Sequence, residues 1–175
     1  MMHATSGKPR SPARTLILAG VLALAAVPLA LGIGVLYWRV RISIALRDWE
    51  RDCAATPYPQ VAYDQGPGAR FVFGAGCRAL PQMVSALNTT DNREFQERLM
   101  ANIVSILIRQ VPKGQEFRML DEWSSRWNFR ADGTELEQRY KTEDFNAWWE
   151  KHRSQCHQWW CFWTDACGKL SWDDR

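Results

Sequence analysis

Residues 15–38 read TLILAGVLALAAVPLALGIGVLYW, a run of 24 with no charge and no polar face at any helical phase. As a helix this run rises roughly 36 Å, enough to cross a hydrocarbon layer of ~30 Å with some tilt. Backbone amides in lipid must pair within their own segment, so the pattern predicts one transmembrane helix over 15–38, with Pro28 inside it. Tyr37 and Trp38 close the run, and Arg39 and Arg41 lie just beyond. That is the order of a membrane interface, with amphipathic rings at headgroup level and guanidinium groups among the phosphates. A cleaved signal peptide is the rival reading. Lys8, Arg10 and Arg14 supply its basic region and Ala23-Leu24-Ala25 a small-residue cleavage pattern, but the apolar run continues well past an h-region. Residues 1–14 are polar, proline-containing and basic, and read as a disordered tail.

Past the run, apolar positions become periodic. In 39–55, Ile42, Leu46, Trp49 and Cys53 recur at helical spacing with charges between them. This predicts a juxtamembrane helix, either docked on the C-terminal domain or standing as a solvated stalk. Thr56-Pro57-Tyr58-Pro59 stops it, because residues before proline avoid the α region, and a loop with Gly66-Pro67-Gly68 comes next. Residues 70–74 (RFVFG) read as a short strand or a buried extended piece. Residues 78–88 predict a helix with Leu80, Met83, Val84 and Leu87 on one face and Pro81 in its first turn. After Asn88-Thr89-Thr90, Asp91 is placed to cap the next helix with Glu94 as its capping-box partner. That helix spans about 92–109, striped by Phe95, Leu99, Ile103, Ile106 and Leu107, widened by Met100, Val104 and Ile108, and ended by Pro112 and Gly114.

The stretch from Gly76-Cys77-Arg78 through Pro81, Asn88 and Asp91 into the apolar helix resembles one HEAT-type helical repeat, over about 76–109. The resemblance implies two antiparallel helices, with proline early in the first and an Asp-containing turn before the second. The turn is short for that family, and the second helix lacks the family's valine-arginine pair at its start. One repeat cannot bury both its faces, so the resemblance implies a HEAT-like hairpin inside a small helical domain.

Residues 115–140 support two readings. Phe117, Leu120, Trp123 and Trp127 suit a helix. Asp132-Gly133, between 127–129 and Leu136, suits a short β-hairpin, while Thr134-x-x-Glu137 suits a new helix start. The last element is a Trp-rich helix over 142–163, capped by Thr142 and carrying Phe145, Trp148, Trp149, His152, Cys156, Trp159, Trp160 and Trp163 at steps of three and four. Its aromatic face reads first as core, second as rings in the headgroup layer, third as a partner surface.

Charge narrows the function classes. Of 22 basic residues three precede the apolar run, and no acid occurs before Asp48, so from Arg39 onward 19 basic residues balance the 19 acids. A neutral domain without a basic stripe argues against nucleic-acid binding. Basic residues flank the run on both sides, leaving the positive-inside rule close to a tie. A short basic N-tail and five cysteines favour a C-terminal domain outside the cytoplasm.

Candidate chemistry is sparse. His152 with Cys156, and His157 with Cys161, are spaced by four on a helix and form a metal hypothesis, though zinc needs four converging ligands and no CxxC pair is present. Disulfides are the stronger reading of the cysteines: Cys53 with Cys77, and two among Cys156, Cys161 and Cys167. No GxSxG, HExxH, phosphate-binding or dinucleotide-binding signature occurs, and no cofactor is implied. Asn88-Thr89-Thr90 has the form of a glycosylation sequon. The chain therefore reads as mainly α: a single-pass membrane protein whose partners are the bilayer and another protein, acting as a tethered interaction or scaffold module. A small metal-binding or Cys/His-dependent enzyme domain is one alternative, and an accessory subunit of a larger membrane complex is another.

Overall fold

The computed structural model describes residues 12–55, 66–111 and 113–156. They form helices and connecting turns, with no strand among them. The helices are α1 (Pro12–Ala55), α2 (Pro67–Ala75), α3 (Leu80–Thr89), α4 (Arg93–Ile108), α5 (Glu116–Arg126) and α6 (Glu135–Cys156), with a single 3-10 turn, Gly76–Arg78, between α2 and α3. Compact units meet between Tyr37 and Trp38, inside α1.

In the first unit the described residues belong to α1, whose helix begins at Pro12, inside the stretch 1–14 read as disordered. Pro28 is accommodated within it. Val21, Leu24, Val27, Leu29, Ile33 and Leu36 are all more than half exposed, Leu24 to 78%. Among the described helices α1 is the one long and apolar enough to cross a membrane.

In the second unit the rest of α1 is a core element. Ile42, Ala45, Leu46, Trp49 and Cys53 are buried at steps of three and four, so this segment docks and is no solvated stalk. α2 crosses it at Gly68, where a Cβ would lie 2.5 Å from the Ala45 carbonyl oxygen and 3.0 Å from the Trp49 amide nitrogen. Residues 70–74 are therefore helical. Pro67 opens the helix at its first turn, and Ala69, Val72 and Ala75 bury one face at a spacing of three, which the alternation in RFVFG conceals.

α3 and α4 are the most extensively packed pair. Leu80, Met83, Val84 and Leu87 of α3 are buried with Phe95, Leu99, Met100, Ile103, Val104, Ile106 and Leu107 of α4. Pro81 lies in the first turn of α3, as its spacing predicts. The cap of α4 is Asn92 and not Asp91: its side-chain oxygen accepts from the Phe95 amide at 3.1 Å. Glu94 is not in a capping box and pairs with Arg98 one turn on. The Thr90 hydroxyl donates to the Glu50 carboxylate, and Asn92 Nδ2 donates to the Glu50 carbonyl at 3.4 Å, tying this turn to the end of α1.

The hairpin that Asp132-Gly133 also suited is not formed among the described residues. The Thr134 hydroxyl accepts from the Glu137 amide at 3.2 Å, so the second of the two readings of this stretch holds and α6 starts at Glu135. Thr142, expected to begin the helix, lies within it and donates its hydroxyl to the Gln138 carbonyl at 2.8 Å. Residues 127–134 are held instead by side chains. Gln138 Nε2 and Lys141 Nζ donate to the Arg130 and Asn128 carbonyls, each at 2.7 Å, and the Glu97 carboxylate accepts from the Ala131 amide at 2.7 Å. Of the Trp-rich helix, residues 157–163 lie outside the described residues. Its described tryptophans, Trp148 and Trp149, are buried with Phe145, in agreement with the core reading.

Gly68→Ala should destabilise the full chain by about 1–3 kcal/mol, the range for overpacking against backbone that cannot yield. Thermal melting followed by circular dichroism in detergent micelles measures it, with Gly74→Ala, where the added Cβ meets open space, as the neutral comparison.

Candidate functional site

The four residues read as a membrane interface do not share one environment. Tyr37 is exposed on the first unit. Trp38, on the second, packs against the core and stacks on Phe71 of α2, ring centroids 5.9 Å apart. Arg41 lies over the same Phe71 ring at 5.2 Å, and Arg78, from the 3-10 turn, lies over Trp38 at 4.7 Å. Arg39 contributes its carbonyl, which accepts from Gln82 Nε2 of α3 at 2.7 Å; the same nitrogen donates to the Ser43 hydroxyl at 2.8 Å. Arg109, just past α4, lies over Phe73 at 4.3 Å. The fold thus gathers three guanidinium groups and three rings from four elements at the Trp38 end of the domain. A guanidinium over a ring face is attracted by the ring quadrupole and keeps its N–H donors at its edges. Arg78 and Arg109 were not singled out from sequence. The available signal was the missing acid: residues 65–90 hold Arg70 and Arg78 and no acid, and residues 98–115 hold Arg98, Arg109 and Lys113 and no acid.

The cysteines correct the expected pairing. Cys53 is a free thiol, 2% exposed, beside Arg98 and Glu94. Cys77 is disulfide-bonded, and Gln110 Nε2 donates to its sulfur at 2.9 Å. Arg98 and Gln110 are 12 residues apart along α4 and its extension, roughly 18 Å at helical rise. A disulfide needs Cα atoms within about 7 Å, so Cys53 and Cys77 cannot meet. The side chain of Cys156, and Cys161 and Cys167, lie outside the described residues.

The metal hypothesis gains no support in the described part. Among the described residues no three His, Cys, Asp or Glu side chains converge to hold a metal. His152 is buried, stacks on Trp148 with centroids 4.7 Å apart, and donates from Nδ1 to the Trp148 carbonyl at 2.8 Å. A carbonyl only accepts, which fixes that nitrogen as the protonated one. His157 and Cys161 lie outside the described residues.

The second polar constellation is structural. Arg126 grips Asp144 with two hydrogen bonds, Nε at 3.0 Å and Nη2 at 2.7 Å, and the Trp127 indole donates to the same carboxylate at 2.6 Å. Trp127 is fully buried and packs on Phe145 and Trp148, at 5.4 and 5.1 Å between centroids. Burial by itself would raise the Asp144 carboxyl; the hydrogen bonds from Arg126 and Trp127, with the Arg126 charge, outweigh it and hold the group below its ordinary value. A cleft of about 560 Å³ between α3 and α6, lined by Val84, Asn88, Asn146, Trp149, Glu150 and Arg153 among others, has no histidine or cysteine among the described residues of its wall. Asn88, the sequon residue, exchanges hydrogen bonds there with Asn146 at 3.1 and 2.8 Å.

No family model, no curated protein and no solved structure matches the chain. α3 and α4 pack as a pair of helices, and nothing in these comparisons assigns them to the HEAT-type repeat.

Asp144→Asn should cost about 2 kcal/mol at neutral pH, the range for hydrogen bonds to a charged group. The folded carboxyl titrates below its ordinary 3.8, so the stability it contributes is complete above that value and is lost as pH falls through the depressed one. Acid titration of folding stability should therefore narrow the gap between wild type and variant below about pH 3.8.

Proposed function

We propose that the chain is a single-pass membrane protein, anchored by the first part of α1, whose helical domain is a tethered, non-catalytic interaction module. One observation carries the anchor: Val21, Leu24, Val27, Leu29, Ile33 and Leu36 leave apolar surface exposed on a helix that has no polar side to turn to water. An exposed apolar patch of that extent implies a lipid or protein environment, and the length fits a bilayer. The interaction role draws support from large apolar side chains that the domain leaves in solvent, Phe117 and Leu120 on α5 and Leu136 and Tyr140 on α6. It draws support also from polar groups that serve packing: Asp144 accepts from Arg126 and Trp127, and His152 donates to the Trp148 carbonyl.

The disulfide at Cys77 supports placing the domain outside the cytoplasm, since such bonds persist in oxidising compartments. The N-terminal tail then stays on the cytoplasmic side, and the bilayer and a protein partner remain the proposed contacts.

Alkaline carbonate treatment of membranes tests the anchor: full-length protein should stay in the pellet, and its release into the wash would end the reading. Labelling of intact cells with a membrane-impermeant maleimide tests the side. Both thiols are buried, so the reagent is applied in urea that unfolds the domain while the bilayer stays sealed: Cys53 should then label without reduction and Cys77 only after it. Labelling of Cys77 that also requires permeabilisation would place the domain inside.

A further inference from the structure

Cys77 is bonded and Cys53 is free, so for a bond within the chain the partner is Cys156, Cys161 or Cys167. The seating of α6 on α3 chooses among them. Asn88 exchanges hydrogen bonds with Asn146. Seven residues back along α3, Pro81 lines the cleft between the two helices, and so do Arg153 and Ser154, seven and eight residues on along α6. The helices thus run antiparallel and in step. From Asn146 to Cys156, where α6 ends, the rise is about 15 Å. From Asn88 back to Leu80, where α3 starts, it is about 12 Å, and the 3-10 turn that holds Cys77 adds at most about 6 Å. The last turn of α6 is therefore level with Cys77. A disulfide needs Cα atoms within about 7 Å of each other. Cys156 stands at that level on the backbone of α6, and Cys161 and Cys167 follow it by five and 11 residues.

We propose that Cys77 and Cys156 form a disulfide that staples the end of α6 to the 3-10 turn before α3. Two thiols lose two protons as the S–S bond forms. The two electrons pass by thiol exchange to a disulfide-bearing oxidant, a protein carrier or glutathione disulfide, which leaves as thiols. The bond closes residues 77–156 into one loop that contains α3, α4 and α5 and ends with α6. A cross-link over so long a loop removes much freedom from the unfolded chain. It also completes the seating of α6. The cleft is tied at one end by Asn88 and Asn146, and the bond ties the other, beyond Pro81 and Ser154. Reduction releases the second tie alone, because Asp144, one turn from Asn146, stays gripped by Arg126 and Trp127. The inference concerns the helical domain by itself and does not rest on the anchor reading.

The test uses the full chain, purified in detergent, alkylated with N-ethylmaleimide in denaturant without reduction, digested and mapped by mass spectrometry. Trypsin leaves Cys156, Cys161 and Cys167 on one peptide, residues 154–169, so chymotrypsin follows and separates them by cutting after Trp159, Trp160, Phe162 and Trp163. The peptide of Cys77 should be joined to the peptide of Cys156, and Cys53 should carry the alkyl group. Cys77 joined to any other cysteine, in its own chain or a second one, or Cys77 found alkylated, overturns the proposal without any variant having to fold. Melting followed by circular dichroism then tests the staple. Without reductant, the double variant Cys77→Ser, Cys156→Ser should melt at least about 5 °C below the wild type. With reductant the two should melt together, which separates loss of the bond from the effect of the serines. Equal melting points without reductant, or a gap that persists with it, show that the bond holds nothing and end the proposal.

Discussion

Burial of Trp49 is the contact on which the domain depends. Its side chain is 1% exposed, its ring meets the edge of Phe95 at 5.2 Å, and its backbone lies where α2 crosses at Gly68. Three elements thus share one residue, and each supplies something another type could not. Gly68 lets α2 approach the backbone of α1 without a Cβ between them, Phe95 stands at the capped start of α4, and Trp49 fills the space between. The neighbours on the same face of α1, Ile42, Ala45, Leu46 and Cys53, extend the seam. This part of α1 is therefore core and not connector. Cutting the chain at the usual edge of an apolar run is tolerable only if 38–55 stays with the domain; removal of that segment would open the hydrophobic centre along its whole length.

The same seating explains why charge sorts along the molecule. Once α1 is fixed by Trp49, its acid-free turns before Asp48 and its mixed turns after it must face different neighbours. Because α4 runs past with its acids in the first turns and Arg109 beyond the last, the two gradients reinforce one another. Like charges at the Trp38 end are then held close, which opposes folding. Rings relieve that in part: cation–π contact replaces some of the hydration each guanidinium gives up. An ion pair would do so more strongly, and among the described residues Arg41 and Arg109 have no carboxylate partner.

Helices that bury one face were legible in the sequence, and elements set by polar detail were not. The stripes of α3, α4 and 39–55 emerge directly from steps of three and four, because each rests one side on a common core. α2 escaped for lack of length: nine residues with two phenylalanines alternate as a strand would, and only the close pass at Gly68 makes the helix necessary. Caps were misplaced where two candidates competed. Asp91 and Asn92 can both accept from a helix start, as can Thr134 and Thr142, and the choice is made by which one the neighbouring turn leaves in extended backbone. The Cys53–Cys77 pairing failed for a different reason. Proximity along the chain says nothing about the length of α4, which separates Arg98, beside Cys53, from Gln110, beside Cys77. Of the arginines stacked on rings, Arg41 could be read from the end of the apolar run together with Trp38, but Arg78 and Arg109 reach their rings through folding and left only a gap in the acids as a trace.

Tryptophan serves the fold in two ways, and the difference lies in the indole nitrogen. Trp127 sends its N–H to Asp144, whose carboxylate also takes both arms of Arg126, so a fully buried ring is paired and the end of α5 is locked to α6. Trp49 has no such partner for Nε1 among the described residues. An unpaired buried donor costs about 1–3 kcal/mol, and the ring must offset that by area and shape alone, with a side chain whose burial is worth more than any aliphatic residue could supply in the same volume. Substitution by phenylalanine removes the unpaired donor but also part of the filling between α2 and α4. The net sign depends on how far α2 can settle, and Gly68 against the backbone of α1 leaves it almost no distance to travel.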